Sequence, residues 1–256
     1  MNPASPLPGT AVEAIERATV AAVSPEAVEE LDGWLLPFDA GTVGRARSAV
    51  PLRHLPASDH TVDRIAERYR LRGLGPMLRL ADVACFDAFR AALETRGYRG
   101  AKPTLVQTGS LQRMREVVPD AAAPADVDET PDDAWAGLFL GEGFDPVDGA
   151  HRVRVLRRAG GSLFASVREG GRTVAAGAMA FGHGWASVHG MRTEASQRGR
   201  GLAGRVLAGL AQAALARGFE RVFLQVEAQN PAALSLYRRA GFETRWQYSY
   251  WQPQRG

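Results

Sequence analysis

Among its 256 residues the chain has a single cysteine, Cys85, and a single lysine, Lys102. One thiol cannot form an intrachain disulfide, which fits a cytoplasmic setting. Arginine therefore carries nearly all the positive charge, and the formal net charge is only +3. No run of like charges is long enough to leave the electrostatic footprint of a nucleic-acid binder. The apolar runs fall far short of the roughly 20 residues that a membrane helix needs. The opening Met1-Asn2-Pro3-Ala4-Ser5-Pro6 lacks the basic-then-apolar order of a secretory signal. With 45% apolar and 23% charged residues the composition is ordinary for a globular protein, and the length admits one large domain or two small ones. The thiol lies in Val83-Ala84-Cys85-Phe86, an apolar helical pattern in which it reads as buried and inert. The densest basic patch, Arg152 to Arg158, reads as a solvated face in preference to a phosphate or acidic-substrate contact.

Residues 120 to 133 are poor in large apolar groups and carry two prolines, which predicts a surface connection or a helix entry. Beyond them strands and helices alternate. Residues 162–168 and 173–182 read as a hairpin turning at Glu169-Gly170-Gly171-Arg172. Residues 185–193 read as the next strand, and Leu202, Val206, Leu207, Leu210 and Leu215 mark a helix ending near Gly218. A strand at 221–227, a helix at 231–239 and a long strand from Phe242 to Trp251 complete this half. Asn230 is placed to cap the second helix, with Pro231 at its first position. In the first half, 34–39 and 44–52 read as paired strands. Helices are expected at 60–71 and 86–96, with strands at 76–81 and 104–108. Leu93-Glu94-Thr95-Arg96-Gly97-Tyr98 echoes Tyr237-Arg238-Arg239-Ala240-Gly241-Phe242, which suggests a duplicated architecture.

Two segments carry chemistry. Arg198-Gly199-Arg200-Gly201-Leu202-Ala203 falls between a predicted strand and a predicted helix. A helix N-terminus offers unpaired N–H groups and a favourable dipole to a phosphate, and glycines allow close approach. Read alone, the segment could equally be a loop that merely turns the chain. The second segment runs from Asn230-Pro231-Ala232-Ala233 through Tyr237 to Gly241-Phe242. In this order and spacing the two resemble the signatures of the GNAT superfamily of N-acetyltransferases, Arg/Gln-x-x-Gly-x-Gly/Ala and Asn-x-x-Ala-x-x-x-Tyr-x-x-x-Gly-Phe. Arg70-Leu71-Arg72-Gly73-Leu74-Gly75 satisfies the first pattern too. It follows a predicted helix instead of opening one, so no helix N-terminus would face a phosphate.

The resemblance implies an α/β (α+β) fold with a mixed, mostly antiparallel central sheet flanked by helices. It implies acetyl-CoA as co-substrate, an amine as acceptor, and no metal. Arg198, Gly199, Arg200, Gly201, Leu202 and Ala203 would hold the pyrophosphate, and Asn230 would contact the pantetheine arm. The backbone of Met191, Arg192 and Thr193 would pair with the pantetheine amides. Where the family often has Val-x-Pro this chain has Thr193-Glu194-Ala195, which weakens the register more than the role. Tyr237 would hydrogen-bond the sulfur as general acid, because a phenol with a pKa about 10 is still protonated where a thiolate leaves. A core tyrosine at the helix end is the bland alternative.

A base is also needed. A lysine-like amine with a pKa of about 10.4 is neutral at pH 7 only at a cost of about 4.6 kcal/mol, whereas an α-amine near 7.8 faces about 1.2. Glu227 is the first candidate, with Glu142, His189 and Glu194 as rivals. Trp246, Tyr248 and Tyr250 alternate along the last strand, which favours core or lobe-interface packing over an acceptor pocket. Residues 134 to 158, with Trp135, Phe139 and Phe144, match the region that covers the acceptor site in GNAT enzymes.

The expectation is a cytoplasmic N-acetyltransferase with a degenerate GNAT-like lobe at 1–112 and the catalytic domain at 113–256. No nucleic-acid or membrane partner is expected, and a homodimer is compatible. A non-catalytic CoA-binding module and transfer of a longer acyl chain stand as alternatives. Tandem arrangements are also seen in mycothiol synthases, which Gln225-Val226-Glu227-Ala228-Gln229-Asn230 resembles. The first half is too short and divergent to carry that substrate over.

Overall fold

The computed structural model describes residues 7–119, 123–141 and 145–254; Glu142 and Phe144 lie outside them. The chain opens with helix α1 (Gly9–Val23), which buries Val12, Ile15, Ala18, Thr19 and Ala22. Their spacing is that of one helical face, so this helix adds to the predicted elements. Strands β1 (Ala27–Leu31) and β2 (Trp34–Phe38) follow as a hairpin. Its turn is Asp32-Gly33, both at positive φ (49° and 79°), the signature of a two-residue primed turn. The expected pairing of 34–39 with 44–52 is therefore corrected. The tight turn gives β2 its neighbour on the N-terminal side, Gly44–Ala46 forms a 3₁₀ turn, and only β3 (Val50–Pro51) pairs from the expected strand.

Helix α2 (His60–Leu71) and strand β4 (Leu78–Ala81) match their predicted places. Cys85 sits in a 3₁₀ turn (Ala84–Phe86) and is half-buried, not deep in a helix. Helix α3 (Asp87–Thr95) leads into β5 (Tyr98–Ser110), longer than predicted, and then into α4 (Leu111–Arg115). The connection at 120–133 contains a short edge strand, β6 (Asp126–Asp128). Helices α5 (Asp133–Gly137) and α6 (Pro146–Arg158) are N-capped by Asp132 and Asp145, whose carboxylates accept from first-turn amides. Next come β7 (Leu163–Glu169), β8 (Arg172–Gly182), β9 (Trp185–Thr193), α7 (Leu202–Ala216), β10 (Arg221–Glu227), α8 (Pro231–Arg239) and β11 (Glu243–Pro253). In this second half every predicted strand and helix from residue 162 onward is present.

Eight strands form one sheet in the order β4-β11-β5-β10-β9-β8-β7-β6, and β1-β2-β3 form a second. The large sheet is antiparallel except between β9 and β10. Strand β5 lies between β10 and β11, pairing Leu224 with Gln107 on one side and Trp246 with Val106 on the other. Ala49, just before β3, bridges Leu78 of β4 in parallel, through Ala49 N to Met77 O at 2.9 Å and Arg79 N to Ala49 O at 2.7 Å. Two large apolar clusters divide the core. One gathers α1, α2 and α3 against β2, β4, β5 and β11; the other gathers α7 and α8 against β7, β8, β9 and β10. Among the first sits a buried ion pair, Arg79 with Glu16 at 2.6 Å, beneath the Tyr248 ring.

Candidate active site

Parallel pairing between β9 and β10 stops at Val188 and Leu224, yet β9 continues to Thr193 and β10 to Glu227. The two strands part, and a cleft of about 940 Å³ opens between them. Divergence takes His189 to Thr193 out of the ladder with β10, while their other edge still pairs with β8. A bulge between Ala176 and Ala178 and the positive φ of Gly190 (60°) bend β9 at the same place. Every residue named for the site from the sequence and falling in 191–193, 198–203, 227, 230 and 237 lines this cleft.

Helix α7 opens at its mouth. Gly199 and Gly201 stand at φ 78° and 76°, and a side chain on either would meet open space, so the backbone amides of the first helical turn face the cleft uncovered. Arg198 is exposed and has no ion pair among the described residues. Arg200 is already engaged: Glu169 accepts from it at 2.8 and 3.0 Å, which holds that carboxyl below its ordinary range. The decoy Arg70 to Gly75 occupies the C-terminal end of α2 and its following turn, as the reversed order predicted.

Met191 faces α7, since a Cβ on Gly177 would meet Met191 Sδ and Val206 Cγ1. Tyr237, on α8, belongs to the same side's core and is 7% exposed. Its ring packs edge-on to Phe242, and its hydroxyl makes no hydrogen bond among the described residues. Burial pushes its pKa up to about 12, so the phenol stays protonated well above neutrality. Asn230 caps α8, with Oδ1 accepting from Ala233 N at 3.1 Å. That leaves its amide nitrogen exposed at the cleft.

The opposite face of the sheet holds the candidate bases. Gln225 reaches Thr19 of α1 and Tyr248, so Glu227, two residues on, points to that same face. Its carboxylate is exposed at the end of β10. His189 is buried. Ser187 Oγ donates its one proton to Ala180 O (3.3 Å) and must accept from His189 Nε2 (2.8 Å), which assigns the Nε2–H tautomer. Nδ1 is then a buried acceptor with no partner. Burial, and next the Arg45 charge, depress the pKa of His189 well below its usual value. Glu194 is bound by Arg172 at 2.6 Å and does not line the cleft.

Trp135 and Phe139 turn out to be core: Trp135 Nε1 donates to Ala165 O and Gly177 O, and Phe139 is fully buried. The basic stretch of α6 is not simply a solvated face. Arg152 lines the cleft while bound to Asp148 at 2.5 Å, and Arg158 binds the buried Asp39 at 2.5 Å. Tyr248 and Trp246 pack in the first-half core, as the alternation indicated. Sequence reasoning missed Arg45, Gln225 and Arg152 as cleft residues. Arg152 stands in the basic stretch and Gln225 shares a strand face with Glu227, while nothing in the local pattern marks Arg45.

Residues 10–251 match the family described as the C-terminal region of the probable histone acetyltransferase Rv0428c. The chain belongs to this family. It is a GNAT superfamily acetyltransferase, and solved GNAT structures share its fold at low identity. A GCN5-related N-acetyltransferase from Kribbella flavida is 16% identical, with TM-score 0.71 over 99% of this chain and 98% of its own. A tandem GNAT protein from the clavulanic acid biosynthesis pathway is 13% identical, with TM-score 0.59 over 96% of each chain. A putative GNAT-family acetyltransferase from Novosphingobium aromaticivorans is 18% identical, with TM-score 0.56 over 94% and 99%. No curated protein matches the sequence. The GNAT fold family draws on acetyl-CoA, and the open glycine loop, unpaired Arg198 and parted strands of this acetyltransferase suit that group. Among the described residues no cluster of three or more His, Cys, Asp or Glu could hold a metal, and no helix is long and apolar enough to cross a membrane.

Proposed function

We propose that this acetyltransferase moves the acetyl group of acetyl-CoA to a primary amine by direct attack. One observation carries the reading: a buried, protonated and otherwise unbonded Tyr237 hydroxyl lines the same cleft as the α7 N-terminus. The amides of Gly199 to Ala203, with Arg198, would hold the pyrophosphate. The β10-facing edge of Met191, Arg192 and Thr193 would bond the pantetheine amides as an added strand, and Asn230 would reach the same arm. As the amine nitrogen bonds to the carbonyl carbon and the C–S bond breaks, Tyr237 gives its proton to sulfur. The amine proton leaves on the opposite face. Glu227 is the base that fits, directly or through water. His189, held neutral with a depressed pKa, suits a hydrogen-bond acceptor better than a proton acceptor. The reaction occupies a cytoplasmic setting in this reading, consistent with one unpaired cysteine.

The first half fits a degenerate copy of the same lobe. With the short edge strand β6 set aside, the combined strand order β1-β2-β3-β4-β11-β5-β10-β9-β8-β7 reads alike from either end, with a parallel contact at β3–β4 and at β9–β10. Helices α3 and α8 both end in a left-handed glycine, Gly97 (78°) and Gly241 (83°), before β5 and β11. The copy has no glycine loop before α2, so one acetyl-CoA site per chain is expected. Screening amines for acetyl-CoA-dependent thiol release, with calorimetry for acetyl-CoA, tests the proposal. Thiol release that rises with an amine and a stoichiometry of one are expected; tight binding with no acceptor of any class would favour a binding module.

A further inference from the structure

Arg45 belongs to the first half, in the 3₁₀ turn Gly44–Ala46, yet it lines the cleft of the second. The turn is fixed in place. A Cβ on Gly44 would lie 2.8 Å from the Tyr250 ring, and backbone bonds close the turn from Ala46 N to Val43 O and from Arg47 N to Gly44 O. The Arg45 side chain is half-buried and has no hydrogen bond or ion pair among the described residues. The two acids that bond the loop just before this turn are committed elsewhere. Asp148 accepts from Arg152 at 2.5 Å and Thr42 at 2.8 Å, and Asp39 accepts from Arg158 at 2.5 Å and Gly41 N at 2.8 Å. The turn packs on Tyr250, whose hydroxyl meets that of Tyr248 beside Gln225, so it lies against the face opposite α7. The unpartnered Nδ1 of His189, a residue only 4% exposed, lies on that face too.

A guanidinium drawn partly out of water and given no counterion is unfavourable unless something supplies the negative charge. The phosphates of acetyl-CoA do not suit, because the amides that would receive them open from α7 on the other side of the sheet. We infer that the acceptor amine carries an oxyanion group, a carboxylate or a phosphate, and that Arg45 binds it. The planar fork of arginine matches either group bidentately. His189 Nδ1 then accepts a hydrogen bond from the same molecule. The inference rests on the acetyl-transfer reading of the cleft, and it gives the first half a role in choosing the acceptor.

Matched acceptors test it by thiol release: amino acids against their carboxamides, phosphoethanolamine against ethanolamine, and a lysine-rich peptide. The anionic member of at least one pair should win by about tenfold or more in kcat/KM, the scale of one hydrogen bond to a charged group. Which pair responds separates carboxylate from phosphate. Arg45→Gln should collapse that ratio mainly through acceptor KM, Arg45→Lys should restore part of it, and Arg45→Glu should turn the preference toward a diamine. Equal rates within both pairs, preference for the basic peptide, or a ratio that survives Arg45→Gln in a folded protein would overturn the inference alone. Acetyl-CoA binding without transfer to any amine would overturn the transfer reading, and this inference with it.

Discussion

Tyr237 has its ring in the core and its hydroxyl on the cleft, so packing and chemistry can be separated at this residue. Tyr237→Phe keeps the ring and should leave acetyl-CoA binding within a few-fold, while lowering turnover by roughly 10- to 10³-fold. Pre-steady-state thiol release reads the chemical step directly; unchanged turnover with chemistry rate-limiting would make Tyr237 a packing residue. The raised pKa gives a second check. An ordinary tyrosine begins to lose its proton near pH 10, whereas one titrating at about 12 remains a donor. The pH profile of kcat/KM should therefore rise as the amine deprotonates and show no falling limb before about pH 11. The motif made Tyr237 legible in the sequence. It could not tell Glu227 from His189, because basicity depends on burial and neighbours that come from other segments.

At the scale of elements, the strand–loop–helix from β9 to α7 was readable because a glycine loop, a strand period and a helical period adjoin. Gly201→Glu should abolish acetyl-CoA binding, since a carboxylate would stand where the proposed site puts the pyrophosphate. Space is open there, so the cost to folding is that of a non-glycine residue at φ 76°, about 1–2 kcal/mol. Gly201→Ala in a thermal melt isolates that cost, and calorimetry on Gly201→Glu reads the binding. Gly209 behaves differently. On propensity alone, Ala would favour α7 by up to about 1 kcal/mol. In the fold, its Cβ would sit 2.5 Å from Ala125 O, beside the bond from Ala125 N to Arg205 O. Gly209→Ala should thus lower stability by about 1–3 kcal/mol, measurable by denaturant unfolding; a gain would mean that the connection before β6 yields easily. Helix α1 and the β1–β2 hairpin had usable signals, helical spacing and Asp-Gly. The small strand β6 had none, because three residues on an edge show no period.

Across the whole molecule, β5 is covalently part of the first half and structurally part of the second. Its stretch from Thr104 to Thr108 separates β10 from β11. A fragment of residues 113–256 would leave those two strands without the neighbour that each hydrogen-bonds, and would uncover Val106's place in the core. We expect that fragment not to fold: circular dichroism should show no cooperative melt and calorimetry no acetyl-CoA binding. A folded, binding fragment would mean that β10 and β11 can close on each other. The buried Arg79–Glu16 pair also joins α1 to β4 in the first half's core, beneath Tyr248 of β11.

Local pattern determined a good deal by itself: the alternating elements of the second half, the glycine loop before α7, the capping of α8 by Asn230, and the place of Tyr237. These depend on periodicity, turn chemistry and short spacing, all within a few residues along the chain. Tertiary structure alone decided that Arg45 enters a cleft lined mostly by residues more than a hundred positions away. It alone decided the tautomer of His189, the capture of Arg200 by Glu169, and the insertion of β5 between β10 and β11. Each of these turns on which distant backbone or charge becomes a neighbour, and sequence spacing carries no record of that.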